Sequence, residues 1–508
     1  MAIPLQRRIL NRRMNGKIQY FVLIAIVLPG LFLRLFHLDA RGLWTDEKMS
    51  LHCAYGIRGF APDSFGMDNR KVFSSSGFEK YFNPQRVVQA TIADNGNGLA
   101  HNLSQHYWIR MFGSSDFSIR MLPVVFSLAT VVLSFFLLRM ISGRSDAGLI
   151  ASGFLAIHPL LIEHSQSARM YSMAMFFSLL SVFFFCRIMY RNASLAGGIL
   201  LGLAAGIAFL SHYFTGFFLP AFAIAFAISP GTKKNWIACI AAAGAFIVIF
   251  TIWMSSGGME GIEMMQEQNT NIALASGAVD DSPAGESTLT SAATGVIKIA
   301  VRWLGLGIRD GILVFLTFLA AGAMIFTGRK FIAGNRAAWL LLFVPIIYLL
   351  SVSVIAWTSG HTTSFLLRYA LIGTPVVAGI LSLAFVRGIV KAGWHRMIAI
   401  CGFLILLGIS GTTLALRTYH DTSNGEVMSE DRESNPFVSL RNEIAAKYRE
   451  GDTLYFQEHS DAVIENFYLR DRPDIVQCWD STLQKGEILI AGPGGRKFSL
   501  QNMNGRRY

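Results

Sequence analysis

Apolar runs of about 20 residues recur from Tyr20 to Leu416, each closed by a short polar break, and the last ninety or so residues contain none. That length is what a helix needs to cross the hydrocarbon core of a bilayer. About eleven spans are predicted, near 18–38, 119–140, 147–162, 170–189, 195–211, 214–229, 235–255, 309–328, 337–357, 369–386 and 397–416. Arg7, Arg8, Arg12, Arg13 and Lys17 precede the first span and place the amino terminus in the cytoplasm. The cytoplasmic breaks then hold Arg139 and Arg144, Arg187 and Arg191, Lys233 and Lys234, Arg329, Lys330 and Arg336, and Arg387, Lys391 and Arg396. Every predicted inner loop is basic, as the positive-inside rule requires.

The polar mass falls on the other face, in outer loops at 39–118 and 255–308 and in a tail, 417–508. The second loop is rich in Ser, Gly, Ala and Thr around Ala273 to Thr294 and reads as partly mobile. In the tail a helical pattern from Phe437 to Tyr448 precedes strand-like Thr453 to Phe456. A helix from Asp461 to Tyr468 and short strands at Ile475 to Gln477 and Ile488 to Ala491 follow. Gly492-Pro-Gly-Gly then reads as a turn, since no helix with a P-loop lysine and hydroxyl comes after it. The expected fold class is an α-helical polytopic membrane protein, 1–416, carrying a small extracytoplasmic α/β domain, 417–508.

Composition agrees: 53% of residues are hydrophobic and 15% charged, below the roughly 25% charged of a soluble chain. The net charge of +12 does not point to nucleic acid, because from Arg417 onward there are 15 acidic and 12 basic residues. The excess sits in the inner breaks, where it orients the spans. Cys186, Cys239 and Cys401 lie in apolar runs, while Cys53 and Cys478 fall outside and could pair. No cleavage site follows the first run, which reads as an uncleaved span.

Candidate chemistry clusters at the outer ends of spans. Gly42-Leu-Trp-Thr-Asp-Glu-Lys places Asp46 and Glu47 just past the first span, where carboxylates can serve as a general base, bind a cation, or simply be a solvated loop end. Short outer loops should avoid arginine, yet Ser165-Gln-Ser-Ala-Arg-Met-Tyr carries Arg169 with Tyr171, and Leu366-Leu-Arg-Tyr carries Arg368 with Tyr369. A guanidinium there can hold a phosphate in a bidentate fork with a phenol beside it; the alternative is a snorkelling arginine in an aromatic belt. His212-Tyr213 and Glu163-His164 lie on the same face and admit the same two readings. No metal-ligand spacing is present, although a site assembled from distant residues, Asp46 with His212 for example, would leave none.

These residues resemble the GT-C membrane glycosyltransferases, in the branch of protein O-mannosyltransferases and lipid A aminoarabinose transferases. Leu33-Arg-Leu-Phe-His-Leu-Asp-Ala-Arg-Gly-Leu-Trp-Thr-Asp-Glu looks like that family's first span and Asp-Glu motif, and Phe112-Gly-Ser-Ser-Asp-Phe-Ser-Ile-Arg-Met-Leu-Pro like its entry to the second span. Ser165 to Tyr171 resembles S-Q-x-A-R-x-Y, His212-Tyr213-Phe214 the H-Y-F segment, and Leu367-Arg-Tyr a late R-Y motif. The landmarks keep family order over about 370 residues, and the tail lies outside the resemblance.

The resemblance implies catalytic roles for Asp46, its partner Glu47, and Asp94 of Ile92-Ala-Asp-Asn-Gly-Asn-Gly, where Gly98-Leu-Ala-His-Asn replaces the family's P-P-L-Y-type segment. It implies donor-phosphate binding by Arg169, Tyr171, Arg368 and Tyr369, and substrate contacts by His101, Gln166, His212 and Tyr213. The implied partners are a polyprenyl-phosphate sugar, membrane lipids and an extracytoplasmic glycan, lipid or protein acceptor, with inverting transfer at a bacterial inner (plasma) membrane and a divalent metal ion as an optional helper. The competing class is a transporter or flippase for a lipid-linked saccharide, in which ionisable or broken mid-span elements would be expected.

Overall fold

The computed structural model describes residues 16–40, 43, 45–57, 73–74, 83–228, 231–275, 286–306, 311–359, 368–391, 393–420, 436–456, 469, 472, 474–480, 482–483 and 487–500. By contacts the chain forms two compact units, which cut across the division at 416/417. One comprises Met1–Phe36, Pro123–Trp253 and Thr270–Val427; the other comprises His37–Leu122, Met254–Asn269 and Met428–Tyr508.

The first unit is a helical bundle. Its helices are α1 (Gly16–Leu35) and, after α2 to α4 of the other unit, α5 (Asp116–Ser142), α6 (Ser145–Ala156), α7 (Pro159–Ser165), α8 (Tyr171–Tyr190), α9 (Leu195–Ser211), α10 (Leu219–Ile228) and α11 (Lys233–Trp253). After α12 (Met259–Ala275) come α13 (Glu286–Trp303), α14 (Gly311–Gly334), α15 (Arg336–Ser359), α16 (Gly373–Val390) and α17 (Trp394–His420). Among the described residues eight helices are long and apolar enough to cross a membrane, and nine if α6 and α7, bent by 60°, make one span. The shorter apolar helices Leu195–Ser211 and Tyr213–Ile228 stand where two further spans were expected. The second outer loop is helical on both its flanks, in α12 and α13; its middle lies outside the described residues.

Helix–helix contact in lipid gains nothing from the hydrophobic effect, so close packing has to come from small side chains. Gly198, Gly202 and Gly206 of α9 supply them: a Cβ at Gly198 would sit 2.1 Å from the Ala238 carbonyl oxygen, and one at Gly202 would sit 2.3 Å from that of Ala242. Gly206 makes room for the Ile249 side chain, whose Cδ1 would lie 2.5 Å from a Cβ there. The rising pairs 198/238, 202/242 and 206/249 show that α9 and α11 run parallel, with α10 returning between them.

The second unit holds α2 (Thr45–Tyr55), α3 (Pro84–Ala93), α4 (Leu99–Phe112), α18 (Pro436–Lys447) and a five-stranded sheet. The strands are β1 (Phe73–Ser74), β2 (Thr453–Phe456), β3 (Val476–Trp479), β4 (Ile488–Gly492) and β5 (Arg496–Leu500), in the order β1-β3-β2-β4-β5. β2 and β3 are parallel, with Leu454 beside Gln477, and the other pairs are antiparallel. Leu454, Phe456, Ile490 and Ile444 form its fully buried core. The three expected strands are present and Gly492-Pro-Gly-Gly makes the β4–β5 turn, with Gly494 and Gly495 at φ 77° and 80°. β5 reads as polar and β1 is two residues from the first outer loop, so neither carries a strand pattern. The expected helix 461–468 lies outside the described residues. Cys53 and Cys478 are both buried and neither is in a disulfide.

Candidate active site

Asp46 and Glu47 do not lie in a loop, as their polar neighbours suggested; they occupy the first turn of α2. Negative charge there faces the unsatisfied N–H groups and positive end of the helix dipole, which favours the local structure. The two carboxylates are then used differently. Asp46 is half-buried, while Glu47 is fully buried and takes a bidentate pair from Arg120, Nε to Oε1 at 3.0 Å and Nη2 to Oε2 at 2.9 Å. Arg120, also fully buried, donates Nη1 to the Leu38 carbonyl at 2.9 Å. A second catalytic carboxylate at Glu47 is at odds with this geometry, because both of its oxygens are committed to the guanidinium. A divalent cation here would depend on Asp46, and among the described residues no group of three or more His, Cys, Asp or Glu side chains could hold a metal ion.

Asp94 caps the carboxyl end of α3, its backbone N–H reaching the Ala90 and Thr91 carbonyls, with Cys53 Sγ 3.8 Å from Oδ2. The turn that replaces the family's prolines is left-handed at Asn95, Gly96 and Gly98, φ 62°, 67° and 90°. It returns the chain into α4, where His101 is buried. Asn102 ties the two helices by donating Nδ2 to Thr91 Oγ1 at 3.0 Å. Lys48 and His52, one turn apart on α2 and both about 1% exposed, are titratable neighbours that motif reading missed.

In the bundle three motifs distant in sequence meet. The His212 ring lies 5.8 Å from that of Tyr171 and 4.8 Å from that of Tyr369, and Phe214 stacks on Tyr369 at 4.7 Å. Arg169 Cζ stands 5.8 Å from the Tyr171 ring and Arg368 Cζ 5.6 Å from the Tyr369 ring, distances at which cation and ring attract. His212 links α9 to the following 3-10 turn, Tyr213–Phe218, and its Nδ1 accepts from Phe214 N–H at 3.2 Å. That fixes the proton on Nε2, which is buried and makes no hydrogen bond among the described residues. Burial first, then the charges of Arg169 and Arg368, push the His212 pKa down to about 3. Tyr213 turns aside, its hydroxyl accepting from Trp253 Nε1 at 2.9 Å.

The depressed His212 has a definite effect on stability. Unfolded, the imidazole takes a proton near pH 6.5; folded, it stays neutral until about pH 3. The unfolded state therefore binds more protons below pH 6.5, and stability declines as pH falls through that window, by about 1.4 kcal/mol at pH 5.5. Melting curves of the detergent-solubilised protein at pH 7.5 and 5.5 should show this slope, and His212→Asn should remove its share; an equal slope in the variant contradicts it.

Gln166 plays a part different from the substrate contact expected of it. Its Nε2 donates to the Leu33, Arg34 and Phe36 carbonyls at 3.3, 3.2 and 3.0 Å, capping α1. Arg34 returns the favour: Nη1 reaches the Ala156 carbonyl at 2.9 Å, Nη2 that of Leu155 at 3.3 Å, and Nε the Ser127 hydroxyl at 2.9 Å. A buried cation at the carboxyl end of α6 is favoured by that helix's dipole. The reciprocal caps fix the turn Gln166–Met170 from which Arg169 projects.

Residues 99–254 match the family model described as dolichyl-phosphate-mannose-protein mannosyltransferase. No curated protein sequence matches the chain. The fold is similar to an oligosaccharyltransferase of Archaeoglobus fulgidus solved with Zn and sulfate, TM-score 0.50 at 13% identity, covering 85% of this chain and 56% of that one. The oligosaccharyltransferase AglB from Archaeoglobus fulgidus in complex with an inhibitory peptide and a dolichol-phosphate gives 0.46 at 12%, covering 85% and 58%. ArnT from Cupriavidus metallidurans bound to undecaprenyl phosphate gives 0.48 at 13%, covering 89% of each chain. The chain spans just over half the length of the oligosaccharyltransferase chains. It is a membrane protein of the GT-C glycosyltransferase fold.

Proposed function

We propose that the chain is a glycosyltransferase that moves a monosaccharide from a polyprenyl-phosphate carrier to an extracytoplasmic lipid, glycan or protein acceptor, from a bacterial inner (plasma) membrane, with inversion at the anomeric centre. The observation that carries the reading is the meeting of Arg169–Tyr171, Arg368–Tyr369 and neutral His212 at one end of the bundle. The match of residues 99–254 to a dolichyl-phosphate-mannose-dependent family supports the donor class.

A polyprenyl phosphate keeps its phosphate at the headgroup plane and its tail in the bilayer, so its binder needs cations at span ends. Arg169 and Arg368 supply two positive charges, and His212 Nε2–H supplies a neutral donor whose charge is constant across physiological pH. As the bond from the anomeric carbon to the phosphate oxygen breaks, its electron pair leaves with the phosphate, and fixed donors of this kind stabilise the growing negative charge. The acceptor oxygen or nitrogen forms the new bond to the anomeric carbon and passes its proton to Asp46. One displacement inverts the centre.

Arg169→Ala and Arg368→Ala should each weaken binding of a polyprenyl-phosphate analogue. A charge-assisted hydrogen bond contributes about 1.5–3 kcal/mol, which corresponds to roughly 10- to 100-fold in affinity. Analogue titration into folded, purified variants measures this, and unchanged affinity in both would return the arginines to an interfacial belt.

A further inference from the structure

At the end of the bundle away from His212, helices α8 to α11 line an apolar cavity of about 360 Å³ that is open on one side. Phe185 of α8 walls one side, and the small Ala205, Ala242 and Ala243 leave the space between the helices open. Phe226 and Trp236 form the rim, their rings perpendicular and 4.5 Å apart. Trp236 is half exposed, as a residue at the headgroup level would be.

The charged residues beside the rim are basic, and Asp146, at the same end of the bundle, is paired with Arg144. Lys233, Trp236, Ile240 and Ala243 follow the i, i+3, i+7, i+10 stripe of α11, so the exposed Lys233 continues the cavity wall one turn beyond the rim. Lys234 is exposed beside it, and Arg187 and Arg191 end α8. From Arg187 to Lys234 the sequence contains no Asp or Glu. We propose that the cavity is a binding site for an anionic phospholipid, one acyl chain entering between α10 and α11 and the phosphate lying on Lys233 and Lys234. Apolar walls accept any acyl chain; the uncompensated lysines distinguish an anionic headgroup from a zwitterionic one.

The test uses the full chain, purified and delipidated in detergent, with retained lipid counted by native mass spectrometry. Phosphatidylglycerol should be retained on the order of tenfold more tightly than phosphatidylcholine with the same acyl chains. Lys233→Gln with Lys234→Gln, both at exposed positions, should bring that ratio close to one, and Ala243→Trp, which fills the cavity, should abolish retention of either lipid. Equal retention of the two lipids by the unmodified chain overturns the proposal, as does undiminished phosphatidylglycerol in an Ala243→Trp variant that melts like the parent. Stoichiometric displacement of phosphatidylglycerol by a polyprenyl phosphate would also overturn it, assigning the cavity to the donor's tail.

Discussion

Asp46→Asn should lower turnover by roughly 10²- to 10⁴-fold, the usual loss when a general acid or base is removed, while donor affinity stays close to the parent's. Asparagine keeps the shape of the side chain in the first turn of α2 and can still accept from the helix N–H groups. What it loses is the charge and the basic oxygen, and the loss of charge at a helix start costs about 0.3–1 kcal/mol of local stability. A fall in turnover with melting lowered by no more than that and with unchanged donor titration therefore isolates the proton acceptor from the phosphate site. Transfer at the parental rate would move the base to another carboxylate, with Asp94 the next to replace.

The largest effect on stability is expected at the pair beside it. Glu47→Gln removes the bidentate carboxylate from a fully buried guanidinium; breaking a buried ion pair costs about 3–5 kcal/mol. Replacing both partners, Glu47→Leu with Arg120→Met, removes both buried charges and should recover most of that loss, since buried pairs often exchange for apolar packing at little net cost. Thermal melting of the single and double variants in detergent reads this directly. A double variant as unstable as the single one would mean that shape, not charge compensation, sets the cost. Turnover in a folded double variant separates a structural Glu47 from a catalytic one.

Much of the helical architecture was legible because a membrane imposes a coarse code: span length and the polar breaks between spans are written in composition. Arg169 and Arg368 stood out because short outer loops should avoid arginine. Arg34 and Arg120 also lie near span ends, in the last turn of α1 and close to the start of α5. Each is fully buried and consumed internally, by helix carbonyls in one case and by Glu47 in the other. An arginine's partner is set by which helices pack together, and one-dimensional spacing does not carry that information. Gln166 shows the same limit: its motif is readable and was assigned to substrate, but whether its amide faces a ligand or the end of α1 depends on which helices pack beside it. Strand β1 is a further case, since two residues pair with the tail sheet only through a contact some 400 positions away in sequence, Phe73 to Gln477.

The Arg34 contacts also bear on how the chain is made. One of its carbonyl acceptors, Gly30, is in its own helix, but the other two lie 121 and 122 residues further along the sequence, so α1 enters the membrane well before those two are synthesised. During that interval the guanidinium has to reach the headgroup layer along its own aliphatic stem, which a position in the last turn of α1 permits. Its withdrawal onto Leu155 and Ala156 can occur only once α5 and α6 have been inserted. A nascent chain stalled before residue 156 should therefore hold its first span loosely, and the burial of Arg34 marks the moment at which the amino-terminal spans lock into a bundle.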